Sequence, residues 1–339
     1  MRWKKLGIAI SAVAVMALGS THAIAQEKNI VRVHEYPGSI IHIVNWVMRS
    51  KGFCAEEGLE CQPVYLASAI LAMQAAKTEG VDIIVSSLDV MMQAVDKGYE
   101  LEIIGPYLTN NVYSLSASSE VAATVADKSY PENIEALAGK RIGVVARGGS
   151  PEMIARALLA GAGMEQDEVF FVAVGGPATA FAALTAKQVD AIVSWDPVPA
   201  LCEATKSCAV FADLSRGEGP SDLQAMNGGY VAYYAPSEYL QDNSAIADAF
   251  MRAHAQAVKW LQDPQNLSEA KQIVNEQFKL GDDVPDREAV LDQLVQRTIE
   301  GYGHNFDRKA VDGFNEFLLS YKLIDKPLAV ETIVYDKAP

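Results

Sequence analysis

Two motifs that would announce chemistry are missing from this chain. It has no Gly-x-x-x-x-Gly-Lys loop to cradle a nucleotide phosphate and no Gly-x-Ser-x-Gly elbow to present a nucleophilic serine. Basic residues are short too: 28 Lys and Arg stand against 43 Asp and Glu, a formal charge of −15, which argues against nucleic acid as a partner and for a freely soluble protein. Histidine is scarce. His34, His42, His254 and His304 are scattered, and neither close pair of cysteines has the two-residue spacing of a zinc knuckle, so neither a metal nor a cofactor is expected. Long apolar runs are also lacking. The stretch from Leu6 to Gly19 is shorter than the roughly 20 residues a bilayer span needs. It follows Arg2, Lys4 and Lys5 and precedes Ala23-Ile24-Ala25, a small-x-small cleavage site, so residues 1–25 read as a secretory signal cleaved after Ala25. No cysteine follows that site, and a lipid anchor there is not expected.

An exported chain can keep disulfides. Cys54 and Cys61 are close in sequence, as are Cys202 and Cys208, and of the three possible pairings the two local ones are the simplest. The most informative stretch that is present is Val189-Asp190-Ala191-Ile192-Val193-Ser194-Trp195-Asp196-Pro197, because Val81-Asp82-Ile83-Ile84-Val85-Ser86 repeats its first six residues with one change. Both copies suit a strand buried on two faces of a parallel sheet, and both lead into a helix start: Pro197 can occupy a first helical position after Asp196, and Ser87 or Asp89 can cap a helix beginning near Val90.

Similar units precede each copy. Ile30–His34, Leu59–Leu66, the Val81 segment and Leu101–Ile104 read as strands, alternating with helices over 39–50, 69–78 and 90–97. A second run has strands over 141–145, 169–174 and 189–194 with helices over 153–160, 178–186 and 198–204. From Ser244 onward, periodicity predicts four helices, near 246–261, 267–278, 287–300 and 308–321. The chain is long for a single core. The expected architecture is α/β with two lobes, each a mainly parallel sheet flanked by helices: residues 26–114 and 231–339 form lobe 1, and 115–230 form lobe 2. Crossings near Tyr113–Ser116 and Gly229–Ala232 would make a hinge.

In such sheets the loops after the strands line a crevice between the lobes, and the following helix N-termini point free N–H groups into it. The candidates are therefore Tyr36 and Ser39 after the first strand, Ser68 after the second, and Ser87 and Asp89 after the third. In the other lobe they are Arg147 and Ser150, Gly176, and Trp195 and Asp196. Helix N-termini favour a small anion, and the planar fork of Arg147 suits a carboxylate or sulfonate. Tyr36 and Trp195 would supply aromatic walls. Ser39, Ser68 and Ser150 read equally well as caps, and Asp89 and Asp196 more readily as caps than as ligand groups; with Glu35 they would bind a positive group if they reached the crevice.

The signal, the Tyr36-Pro37-Gly38 turn, the stretch Lys51-Gly52-Phe53 to Glu56-Glu57-Gly58-Leu59, the run Leu137-Ala138-Gly139-Lys140-Arg141-Ile142-Gly143-Val144 and the Val189–Pro197 segment together resemble a periplasmic substrate-binding protein. The subfamily serves ABC importers for nitrate, taurine, alkanesulfonates and thiamine-precursor pyrimidines. The family's Gly-Phe-Phe-x-x-x-Gly-Leu pattern carries Cys54 in place of its second Phe. The resemblance implies a type II periplasmic binding protein fold, a periplasmic location, a monomer, an ABC permease in the inner membrane as partner, and capture of a small organic anion or zwitterion without chemistry on it. A pyrimidine or amine ligand is the alternative within the same role. An exported enzyme on the same fold is the other class: relatives that build the thiamine pyrimidine use a Cys-rich segment and a reactive His, and no Cys cluster exists here. A hydrolase would need His34 or His42 to act on Ser39.

Overall fold

The computed structural model describes residues 29–282 and 284–339. The expected signal segment 1–25 lies outside the described residues. The echo in sequence is an echo in structure. β3 (Ile84–Ser87) and β8 (Ala191–Ser194) are buried along their whole length, as short β-branched strands covered on both faces should be. The aspartate ahead of each does the same work. The Arg32 backbone N–H donates to Asp82 Oδ2 at 2.6 Å and its guanidinium reaches Oδ1 at 3.4 Å. The Arg141 N–H donates to Asp190 Oδ2 at 2.9 Å and its Nε to the same oxygen at 3.0 Å.

The remaining strands follow one plan twice. β1 (Asn29–Glu35) pairs in parallel with β2 (Leu59–Tyr65) and touches the start of β3 through a parallel bridge of Val33 with Ile83. β3 and β4 (Leu101–Leu108) are joined by β10 (Val231–Pro236), antiparallel to both. In the second sheet the order is β7 (Phe170–Ala173), β6 (Arg141–Val144), β8, β5 (Ser114–Ser118) and β9 (Cys208–Asp213). There β6 runs parallel to β7 and β8, and β5 runs antiparallel to β8 and β9. The reversed strand in each sheet is the one that has just arrived from the other sheet.

Two strands depart from the sequence expectation. β5 was expected to be a polar connection: Ser-Leu-Ser-Ala-Ser lacks β-branched residues, yet its Ser114 and Ser116 side chains are buried between β8 and β9. β9 was not expected at all; it follows the tight turn at Lys206, whose φ of 57° is left-handed. The C-terminal helices, Ser237–Leu261, Leu267–Gln277, Arg287–Gly301 and Ala310–Ser320, match the periodicity. The first starts earlier than expected and bends at Asn243. The first three pack on the Ile43–Ser50 helix of the first sheet, which hides the apolar stripe each would otherwise expose. Disulfides join Cys54 to Cys61 and Cys202 to Cys208, the two local pairings.

Candidate ligand cleft

The crevice between the sheets is built from the loops that follow their strands. Tyr36 comes from the turn after β1, Ser68 and Ala69 from the helix start after β2, and Ser86 and Ser87 from the end of β3. Facing them are Val145 and Ala146 after β6, Gly149, Ser150 and Pro151 at the start of the Ser150–Gly161 helix, and Trp195 after β8. Tyr113, which precedes the crossing strand β5, closes the inner end, and the cavity left between the two sides is about 30 Å³. A chain of edge-to-face rings runs through the crevice: Tyr36 to Trp195 with centroids 5.3 Å apart, Trp195 to Tyr113 at 5.7 Å, and Tyr113 to Tyr230 at 5.9 Å. Trp195 Nε1 also donates to Ser39 Oγ at 2.7 Å, so the two sides are hydrogen-bonded to each other.

Five of the ten residues expected from the sequence line the cleft: Tyr36, Ser68, Ser87, Ser150 and Trp195. Ser68 caps as well, accepting from the Leu71 N–H. Ser39 sits one step back, engaged by Trp195. Gly176 stands where the loops of the two sheets approach, its missing Cβ 3.8 Å from the Pro37 carbonyl oxygen. Arg147 is not brought into the cleft. Its guanidinium binds Glu152 at 2.7 and 3.2 Å, and its side chain is 58% exposed. The reason is local: Glu152, in the first turn of the next helix, also takes Arg156 and the Gly148 N–H. Burial works against this carboxylate, but Arg147, Arg156 and that N–H hold its pKa down at about 2.

Neither Asp89 nor Asp196 is the cap the sequence suggests, since Ser87 and Pro197 hold those positions. Asp89 is 1% exposed and neither carboxylate oxygen has a hydrogen-bond partner. Burial raises its pKa, and the hydroxyls of Ser87 and Ser150 and the backbone N–H groups of Val90 and Asp89, which all face it, counter only part of the rise. Asp196 lies on the far side of Trp195, in a second cavity it shares with Asn111, Arg216, Arg297 and Glu300. Burial lifts its pKa to about 6 against the pull of Arg297, whose Nη2 is 3.7 Å away. Glu35 is held by Arg49 at 2.6 Å and by the Trp46 indole N–H at 3.2 Å, and does not line the cleft.

The hydrolase constellation does not form around Ser39. His42 Nε2 accepts from the Tyr36 N–H at 2.8 Å, and its Nδ1 is 2.9 Å from the Tyr107 hydroxyl, which itself donates to the Ile41 carbonyl. Both ring nitrogens are therefore committed to the scaffold, and burial holds this histidine well below its ordinary pKa. His34 points its nitrogens at the Val85 and Leu66 carbonyl oxygens. Among the described residues no group of His, Cys, Asp and Glu is placed to hold a metal ion, and no helix is long and apolar enough to cross a membrane. Sequence reasoning missed Tyr113 and Tyr230. The signal for the tyrosines was their place, each one residue ahead of a strand that enters the other sheet.

Comparison with known proteins agrees with this architecture. The family model described as NMT1/THI5 like matches residues 40–267. No curated protein sequence matches the chain. Among solved structures, a protein from Bordetella bronchiseptica RB50 is 23% identical with a TM-score of 0.73, covering 92% of this chain and 94% of its own. The alkanesulfonate-binding protein SsuA from Xanthomonas axonopodis pv. citri, bound to MOPS, is 16% identical with a TM-score of 0.69 over 93% of this chain and 100% of its own. The periplasmic nitrate-binding protein NrtA from Synechocystis PCC 6803 is 16% identical with a TM-score of 0.66 over 90% and 84%. With two like sheets facing each other across an aromatic cleft, the chain belongs to the NMT1/THI5-like family and has the fold of the periplasmic ligand-binding proteins.

Proposed function

We propose that this protein is the extracytoplasmic solute receptor of an ABC importer. Residues 26–114 and 231–339 act as one lobe and 115–230 as the other, closing by a hinge at the two crossings and presenting both lobes to an inner-membrane permease. The observation that carries this reading is that the cleft is lined from both sheets and bridged by the Trp195–Ser39 hydrogen bond, with Gln93–Met153 and the Arg297 contacts to Asp196, Asp213 and Ser215 as further ties between the lobes that opening would have to loosen. The solute is small, and a flat body would enter by parting Tyr36 from Trp195, whose rings touch edge to face in this form. The sulfonate or carboxylate anion expected from the sequence loses its main support, because Arg147 is bound to Glu152 and no Lys or Arg is among the cleft-lining residues. The alternative ligand, an amine or pyrimidine carried in the same role, fits the lining better.

The test is a thermal-shift screen of the mature protein against small aromatic amines, pyrimidines, carboxylates and sulfonates, followed by small-angle scattering. A ligand at a hundredfold excess over its dissociation constant adds about 2.7 kcal/mol of stability. A hit that contracts the molecule and returns unchanged after long incubation supports the receptor. A hit that is consumed moves the assignment to an enzyme.

A further inference from the structure

A group of unpartnered polar atoms lies just behind the cleft, where the two crossings meet. Both oxygens of Asp89, the hydroxyls of Ser87, Ser150 and Tyr230, and the amide nitrogen of Asn111 are buried without a hydrogen-bond partner. They are neighbours: Ser87 and Ser150 face Asp89, Tyr113 lies beside Asp89 and both serines, and Tyr230 beside Asp89, Ser150 and Asn111. Buried polar atoms are ordinarily satisfied, so such a cluster marks a place where a bound group belongs.

Building on the receptor reading, we propose that this cluster of side chains binds the protonated amine of the solute, with Asp89 as its counter-charge. The donor balance points this way. The carboxylate can only accept and the three hydroxyls can accept as well as donate, with the amide NH2 of Asn111 beside them; an ammonium brings three donors and no acceptor, and a carboxylate is the group it pairs with best. The charge balance agrees, since no Lys or Arg among the described residues forms an ion pair with Asp89. A sulfonate or carboxylate would add acceptors beside an unpaired carboxylate and be repelled. The entrance also fits. Ser87 and Ser150 line the cleft from opposite sheets, so an amine passing between them reaches Asp89 while the attached ring stays against Tyr36 and Trp195. The amine would then touch groups from β3, from the Ser150–Gly161 helix and from both crossings, and so favour the closed form.

The experiment is calorimetric titration and thermal shift of the mature protein, wild type and Asp89→Asn, with aromatic methylamines and amidines headed by benzylammonium. Each is paired with its isosteric alcohol, carboxylate and sulfonate, and sodium and potassium chloride serve as controls. The expected result is that amines bind at least a hundredfold more tightly than their isosteres and that Asp89→Asn removes this preference. Ser150→Ala, expected to weaken the amine about tenfold, gives a second reading that does not rest on the Asp89 variant. Binding of an alcohol or anion in preference to every amine overturns the amine site and leaves the receptor standing. A shift with the inorganic salts equal to that with the amines overturns it in favour of a simple cation. No shift with any compound overturns both readings.

Discussion

The turns after β3 and β8 begin alike and end differently. Both follow the sequence Val-Asp-x-Ile-Val-Ser, both tie their aspartate to an arginine on the neighbouring parallel strand, and both deliver an acid to the region between the sheets. After β3 the residues are Ser87, Leu88 and Asp89, and the acid is left without a cation. After β8 they are Trp195, Asp196 and Pro197, and the acid faces Arg297. Arg297 also reaches Asp213 at 3.4 Å and Ser215 Oγ at 2.9 Å, so a residue on the Arg287–Gly301 helix holds the back of the second sheet. One duplicated scaffold thus supplies an unfilled acceptor in front of Trp195 and a filled ion cluster behind it. The lesson is that three residues after a shared strand decide whether an acid is left without a cation or is held by one.

Four changes would break or sharpen that contrast. Trp195→Ala should cost the most, about 3–5 kcal/mol of unfolding free energy, because it empties a buried indole site and frees Ser39; urea denaturation reads it. Arg297→Met leaves Asp196 buried without its nearest cation and Asp213 with Arg216 alone, and should cost about 2–3 kcal/mol; no such loss would show the rear cluster to be incidental. Acid titration should separate the groups by sign. Asp196, with its pKa raised to about 6 by burial, weakens the fold when ionised, so as pH falls from 7 towards 4 the wild type should gain roughly 1–2 kcal/mol relative to Asp196→Asn, while both lose stability because His34, His42 and His254 are buried with lowered pKa values. Glu152 works the other way: its pKa is held at about 2, so the stability it gives is present above pH 4.5 and is lost as pH falls from there through 2. The smallest effect is Asp89→Asn without ligand, which should raise stability by about 1 kcal/mol by removing an uncompensated buried charge. A decrease would mean that Asp89 already has a partner.

Much of this arrangement was legible in the sequence, and the failures have physical causes. β1, β2, β4 and the C-terminal helices announced themselves by periodicity, and both disulfides by spacing. β5 did not, because its burial depends on neighbours that supply the apolar cover its own serines lack. Arg147 looked like a ligand group because it stands beside two glycines at a helix start. The carboxylate that takes it is five residues away on the helix it introduces, and only the folded turn brings them together. Tyr230 was read as part of a crossing, but its proximity to Asp89 joins residues far apart in the chain and has no local signature.

The exchange of strands between the sheets also orders events during synthesis. The second sheet draws all five of its strands from residues 114–213, one continuous length of chain. The first cannot be completed until β10 emerges, since β3 and β4 have no direct pairing and are joined only through Val231–Pro236. An N-terminal fragment that stops short of residue 231 therefore holds a split sheet with two open edges. The half of the protein made first is finished last, and the newborn chain stays unlocked until most of its length has left the ribosome.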